Sequence, residues 1–282
     1  MIEVEALDAP FGAMVRGVDL RDELSASTEA IAELWVEYGL LVFPGQHLSR
    51  GEQDTFARRF GDLEFTATPL TNLRRDGTLR TDPDDHFLRS LQGNEGWHHD
   101  STYLPLQAKG AVFTAEIVPR AGGATGFADM RAAYDALDDE TRGRVGGLAA
   151  HHSRRYSMER AGHHVGDDVA DQLYGYDVDE PPLRPLVKVH PDTGRPNLLI
   201  GQHAFDVAGM SPGESEELLD RLNSDACADG LTYHHEWSVG DAVLWDNRRL
   251  MHRATPHDPA EPRRMWHTRI AGDPATETAL DH

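Results

Sequence analysis

Two short segments far apart in the chain carry the residues whose types and spacing could do chemistry. In Gly93-Asn94-Glu95-Gly96-Trp97-His98-His99-Asp100-Ser101-Thr102-Tyr103, a histidine and an aspartate stand two residues apart. Side chains alternate between the faces of an extended chain, so His98 and Asp100 point to one side and His99 to the other. That pair alone says little, because two polar residues so spaced are common. Its value rises with Trp245-Asp246-Asn247-Arg248-Arg249-Leu250-Met251-His252, an apolar run that ends in a further histidine. Two histidines and one carboxylate on one face of an octahedral ion leave three positions open, which suits non-haem Fe(II). Three open positions accept a bidentate oxo-acid together with dioxygen, whereas a hydrolytic zinc site needs only one.

An oxo-acid with a distal carboxylate needs a cation to hold it. Arg263, expected in a strand neighbouring that of His252, has a planar guanidinium able to grip a carboxylate through two parallel hydrogen bonds, and Arg264 is its rival. Thr125, after Gly122-Gly123-Ala124, can donate a hydroxyl to the same group. The doublets His151-His152, His163-His164 and His234-His235 invite a second-metal reading. Adjacent strand residues face opposite ways, so a doublet rarely chelates through both rings, and no second site is expected.

The elements that must position these residues follow from pattern. Strands are expected at 2–7, 15–20 and 40–43, and helices at 25–38 and from Ser49 onward, where Glu52 completes a capping box. Residues 65–95 read as polar and irregular, with an Asp-Gly turn and the acidic run Asp82–Asp85, and are expected to form a lid; 155–180 is a second lid candidate. Strand signals then dominate: 111–118, 126–130, 183–190, 197–200, 231–237, 242–245, 251–255 and 264–271. They are interrupted by helices at 131–145 and from Ser211 to about Ala226. No regular strand–helix repeat and no linker occur. The expectation is one domain over 1–282, mostly β with flanking helices, an antiparallel barrel or jelly roll.

Composition narrows the partners. A formal net charge of −21, from 48 acidic and 27 basic residues, repels phosphate backbones and anionic membrane surfaces, so neither nucleic acid nor membrane is expected as a partner. A local cluster of Arg or His must then receive any anionic substrate. The single cysteine, Cys227, cannot form an internal disulfide and fits a reducing compartment. The amino terminus lacks a basic and apolar leader and no stretch of about 18 apolar residues occurs, so the protein is expected in the cytoplasm.

The W-H-x-D, Gly-Gly-x-Thr and W-D-N-R…H segments, with an arginine eleven residues after the last histidine, occur in this order. With them the chain resembles the taurine/2,4-dichlorophenoxyacetate dioxygenase family over nearly its whole length, least over 65–92. Phe127–Leu137, Arg184–Pro191 and Met265–Arg269 are similar to the aryloxyalkanoate branch, especially the (S)-phenoxypropionate-type enzymes. The resemblance implies a double-stranded β-helix (jelly roll, cupin-like) core. It makes His98, Asp100 and His252 the iron ligands, Thr125 and Arg263 the 2-oxoglutarate clamp, and Trp245 a support for that clamp. Fe(II), 2-oxoglutarate as co-substrate and dioxygen are the implied cofactors. The implied substrate is a small carboxylic acid, with an aryloxyalkanoate ether cleaved to a phenol and a 2-oxo acid, and a homo-oligomer is expected. Halogenating relatives lack the carboxylate that Asp100 supplies, so oxygenation is expected. Where taurine dioxygenase has a second arginine, this chain has His267, with Arg269 two residues on. His267, Arg269 and Asn94 are therefore candidates for a substrate carboxylate, and His203 for the pocket wall. Two alternatives remain at this point. One is the same chemistry on another small acid, in secondary metabolism or sulfonate catabolism; the other is a non-catalytic small-acid binder, which should have lost a ligand or the clamp.

Overall fold

The computed structural model describes residues 2–22, 25–82, 84–162 and 180–281. Its frame is a seven-stranded main sheet in the order β1-β2-β3-β13-β5-β15-β4. These strands, numbered in chain order, are β1 (Glu3–Ala6), β2 (Ala13–Arg16), β3 (Leu40–Phe43), β4 (Leu63–Thr71), β5 (Gly110–Ile117), β13 (Ala242–Asp246) and β15 (Arg264–Ile270). A three-stranded sheet, β12-β6-β14, faces it, built from β6 (Thr125–Asp129), β12 (Thr232–His235) and β14 (Leu250–Ala254). Apart from the parallel β2–β3 contact, all pairs in these two sheets are antiparallel. The smaller ladders are β11-β7-β8 and the hairpin β9-β10, from β7 (Ala149–His152), β8 (Leu183–Pro185), β9 (Val187–Val189), β10 (Pro196–Leu198) and β11 (Ala204–Val207). This is the expected jelly roll with helices outside.

Three apolar clusters hold the layers. Phe113, Phe127, Val243, Trp245, Leu250 and Met265 fill the space between the two sheets. Ile31 and Trp35 of α1 (Ser25–Tyr38) and Phe56 of α2 (Arg50–Ala57) cover the outer face of the main sheet against Leu41, Phe43, Val112 and Leu244. Leu218, Leu219 and Leu222 of α7 (Pro212–Ala226) pack with Ala128, Leu198 and Met251. Alternation explains the division: in β13, Val243 and Trp245 face one core while Ala242 and Leu244 face the other. The capping boxes of Ser49 with Glu52 and Ser211 with Glu214 form as expected and start α2 and α7. Each is worth about 1 kcal/mol of helix stability.

Three expectations are corrected. Residues 65–95 are not irregular throughout, because β4 pairs with β15 along its length and α3 (His86–Gln92) follows, capped by Asp85. Pro69 lies within the strand. Proline is tolerated only where no ladder donor is needed, and β4 is the edge of the main sheet. The helix expected over 131–145 is two, α4 (Met130–Asp135) and α5 (Asp139–Val145), since the Asp138 side chain accepts from Thr141 N and starts a new helix. Arg263 does not neighbour the His252 strand, because it precedes β15 in the main sheet while His252 lies on β14 in the facing one. Of the expected lid over 155–180, α6 (Arg154–Arg160) is described; 163–179, with His163 and His164, lies outside the described residues.

Candidate metal centre

A backbone bridge brings the two histidines together. His98 N donates to His252 O at 3.0 Å and His252 N to His98 O at 2.8 Å, an isolated antiparallel bridge between the segment before β5 and β14. Their ring centroids are 4.3 Å apart. Asn247 sets the third ligand: its Oδ1 accepts from Asp100 N at 2.7 Å, and its Nδ2 donates to Asp100 O and Ala108 O, both at 2.9 Å. His98, Asp100 and His252 are buried, and each offers one ligand atom within 4.8 Å of the others. His99 points away as expected, with Nδ1 on Asn247 O at 2.7 Å.

The donor set is prepared for a cation. His98 Nδ1 lies 2.7 Å from Gly96 O, a carbonyl that can only accept, so Nδ1 carries the hydrogen and Nε2 keeps its lone pair for an ion. Burial holds the His98 and His252 rings below their usual pKa and hence neutral, as metal ligation requires. Asp100 is opposite in sense. Burial raises its pKa, but Arg269, then His252 and His267, more than offset this and hold the carboxyl well below the usual carboxylate range. Its Oδ1 accepts from Arg269 Nη2 at 2.7 Å. Its Oδ2 is buried without a hydrogen bond, 3.7 Å from His252 Nε2 and 3.4 Å from His267 Nε2. A buried, ionised carboxylate oxygen beside two neutral imidazoles is a donor set that fits an Fe(II)-type ion.

Arg269 was expected to meet substrate. Its guanidinium is engaged by Asp100, by Ser101 Oγ at 2.9 Å and by Glu64 Oε1 at 3.2 Å, which holds the Asp100 carboxylate in place. His267 does lie beside the centre, stacked on Trp245 with centroids 5.6 Å apart. His203 is buried against His98 and Tyr103, with Nδ1 2.8 Å from Ser157 Oγ, and its Nε2 has no hydrogen bond. For Asn94 the structure gives a backbone contact, its carbonyl accepting from Ala254 N at 2.8 Å beside the His98–His252 bridge.

Arg263 is a buried cation with no carboxylate partner among the described residues. Its Nη2 donates to Gly123 O at 3.0 Å, its Nε has no partner, and burial alone lowers its pKa to about 10. Gly123 permits this approach: its φ is +69° and a Cβ there would lie 3.1 Å from Arg263 Nε. Thr125 follows two residues on. The rival, Arg264, sits on the other face of β15 with Glu116 at 3.2 Å and lines a cleft of about 970 Å³ with Arg50, Arg74, Arg75 and Arg80. None of the candidate metal ligands lines that cleft. Trp245 was expected to support the clamp; its indole nitrogen has no hydrogen-bond partner among the described residues, and Trp237 Nε1 donates to Thr125 Oγ1 at 3.0 Å. Sequence reasoning missed Asn247, Trp237 and Glu64; Asn247 alone lay inside a motif already read.

A jelly roll with a buried His-Asp-His set and a buried arginine that has no carboxylate partner among the described residues fits a metal oxygenase of the oxo-acid-dependent kind. Residues 3–269 match the family described as "Taurine catabolism dioxygenase TauD, TfdA family", and the chain belongs to it. It is 56% identical to the (S)-phenoxypropionate/alpha-ketoglutarate-dioxygenase of Sphingobium herbicidovorans, over 99% of this chain and 98% of that one. The enzyme of the same description from Delftia acidovorans is 48% identical over the same shares. Among solved structures, AAD-2 in complex with Mn(II) and N-oxalylglycine, a 2-oxoglutarate analogue, superposes with a TM-score of 0.91 at 36% identity, covering 100% of both chains.

Proposed function

We propose that this chain is an Fe(II)- and 2-oxoglutarate-dependent dioxygenase that cleaves the ether of a small aryloxyalkanoic acid, holding iron through His98, Asp100 and His252. The observation that carries the cofactor reading is the pairing of an orphaned Asp100 Oδ2 between two neutral imidazoles with an unpaired, buried Arg263. One half calls for a divalent cation and the other for an organic anion. The substrate class is supported by the 56% identity to an (S)-phenoxypropionate enzyme. With its ion bound, the centre supplies a two-electron oxidation of a substrate C–H bond, coupled to conversion of 2-oxoglutarate and dioxygen to succinate and CO2.

The chain's own residues do the rest. Arg263 and Thr125 orient the co-substrate by its distal carboxylate, leaving the keto-acid end toward His98, Asp100 and His252. Arg269 fixes Asp100 so that one oxygen faces the ion. Phe113, Phe127 and Trp245 wall the centre with apolar surface and exclude water. His203, whose buried Nε2 has no hydrogen bond among the described residues, and His267, whose Nε2 lies 3.4 Å from Asp100 Oδ2, are the substrate-side residues we assign to the acid; Asn94 stands at the rim beside the His98–His252 bridge. Hydroxylation of the carbon beside the ether oxygen gives a hemiacetal or hemiketal, which collapses to a phenol and a 2-oxo acid. The same reading includes one domain, a cytoplasmic setting and a homo-oligomer, the last checked by light scattering.

The test is succinate formation by anaerobically Fe(II)-loaded protein given 2-oxoglutarate and oxygen, with phenoxyacetates, both enantiomers of 2-phenoxypropionates, or taurine, beside an Asp100→Ala control. Succinate stimulated by a phenoxy acid, matched by phenol and abolished in the control, is the expected result. Slow decarboxylation without stimulation would remove the substrate assignment, and absence of any iron-dependent turnover would remove the enzyme.

A further inference from the structure

We infer that Trp237 is a positioning residue that forces the Thr125 hydroxyl to act as a hydrogen-bond donor toward the distal carboxylate of 2-oxoglutarate; this rests on the function proposed above. An indole N–H can only donate, while a threonine hydroxyl has one hydrogen and two lone pairs. Trp237 Nε1, 3.0 Å from Thr125 Oγ1, therefore takes a lone pair and leaves the hydroxyl hydrogen to be placed elsewhere. No described residue accepts a bond from Thr125 Oγ1, although the side chain is only 4% exposed. A ligand carboxylate offers acceptors alone and completes the chain of donors, and each bond in such a chain polarises the next.

The fold holds the indole for this task. In the β12–β6 ladder His235 lies opposite Thr125, and Trp237 follows two residues on, where its Nε1 reaches Thr125 Oγ1. The Trp237 ring is wedged edge-on between His235, at 4.5 Å, and Phe113, at 5.4 Å. Asp241 closes the turn: its Oδ2 accepts from Ser238 N at 3.0 Å and lies 3.3 Å from His235 Nε2, and its Oδ1 accepts from Gly45 N at 3.2 Å. The support is also electrically neutral. A carboxylate in Trp237's place could only accept, so it would draw the Thr125 hydroxyl hydrogen away from the ligand and would also compete with the ligand for Arg263.

The experiment is a double-mutant cycle read by calorimetric titration of 2-oxoglutarate into anaerobic, Mn(II)-loaded protein, for wild type, Trp237→Phe, Thr125→Val and the double variant. Trp237→Phe should weaken 2-oxoglutarate about three- to tenfold and Thr125→Val about ten- to a hundredfold, as expected for one neutral and one charge-assisted hydrogen bond. The double variant should bind no more weakly than Thr125→Val, and Mn(II) affinity should be unchanged by Trp237→Phe. Unaltered 2-oxoglutarate binding in Trp237→Phe, additive losses in the double variant, or an equal loss of Mn(II) affinity would each overturn the inference. If Trp237→Phe fails to fold, benzothienylalanine at 237, which replaces the N–H by sulfur in the same shape, gives the same comparison. Wild-type protein that binds Mn(II) but no 2-oxoglutarate would overturn the functional reading itself, a result distinct from all of these.

Discussion

Replacing Arg263 by methionine should move the protein's stability and its grip on 2-oxoglutarate in opposite directions. The folded state lowers the Arg263 pKa from 12.5 to about 10, and burial is the whole cause. At ~1.4 kcal/mol per pH unit, this corresponds to about 3 kcal/mol. The sign follows from the direction: the charged form is disfavoured on folding, so at neutral pH, below both values, the full penalty is present. Methionine removes the charge, keeps much of the apolar stem and forfeits the bond to Gly123 O, worth about 1 kcal/mol. The ligand-free variant should thus lie between unchanged and about 2 kcal/mol more stable, a rise in Tm of up to about 4 °C. For the ligand, truncating one partner of a buried, hydrogen-bonded charge pair costs about 2–5 kcal/mol, a loss of roughly 30-fold to several thousandfold in affinity. Thermal melts of the ligand-free protein and calorimetry on the Mn(II) form measure both. A variant several degrees less stable than wild type, or one that binds 2-oxoglutarate within about threefold of it, refutes the reasoning that Arg263 waits for an anion.

Asn247→Ala strands Asp100 N, Asp100 O and Ala108 O at about 1–3 kcal/mol each; urea unfolding should show a several-kcal/mol loss, and Mn(II) titration an affinity about 10- to 100-fold weaker. Gly110→Ala should cost about 1–3 kcal/mol or more from overpacking, because its Cβ would lie 2.5 Å from Trp35 Cζ2 and 2.6 Å from Trp245 O. Gly143→Ala, inside α5 with nothing within 4 Å, should instead stabilise by about 0.5–1 kcal/mol, and paired thermal melts separate the two. Burial raises the Asp246 pKa, but Arg248 and His190 more than offset it and hold the carboxyl well below its ordinary 3.8. The stability it contributes is therefore present above pH 3.8 and lost as pH falls below that value. Acid titration of Asp246→Asn should show a shallower decline there; an unchanged profile would remove the linkage.

What was legible in the sequence is local. The capping boxes and the His98–Asp100 alternation depend on neighbours a few residues apart and form as read, whereas of the strands β4, β7 and β11 were not read and the run expected over 183–190 is two strands, β8 and β9. The clamp arginine was legible as a residue but not as a place, since nothing in the spacing tells that β14 and β15 belong to different sheets. The supporting contacts join residues far apart: Asn247 reaches Asp100 across 147 positions, Arg269 reaches it across 169, and Trp237 meets Thr125 across 112. Only the closed jelly roll decides such pairs, so the contacts that hold Asp100 and Thr125 in place could not be read from spacing. In β4 the polar composition of 65–95 concealed a strand, and Pro69 is accommodated there because β4 forms the edge of the main sheet.

The most direct test of the account is a crystal structure of the protein grown with Mn(II) and N-oxalylglycine, with anomalous data collected for manganese. The account predicts one anomalous peak bounded by His98 Nε2, Asp100 Oδ2 and His252 Nε2, with the analogue's distal carboxylate on Arg263 and the Thr125 hydroxyl. A peak ligated by other residues, or an analogue seated away from Arg263, would contradict it.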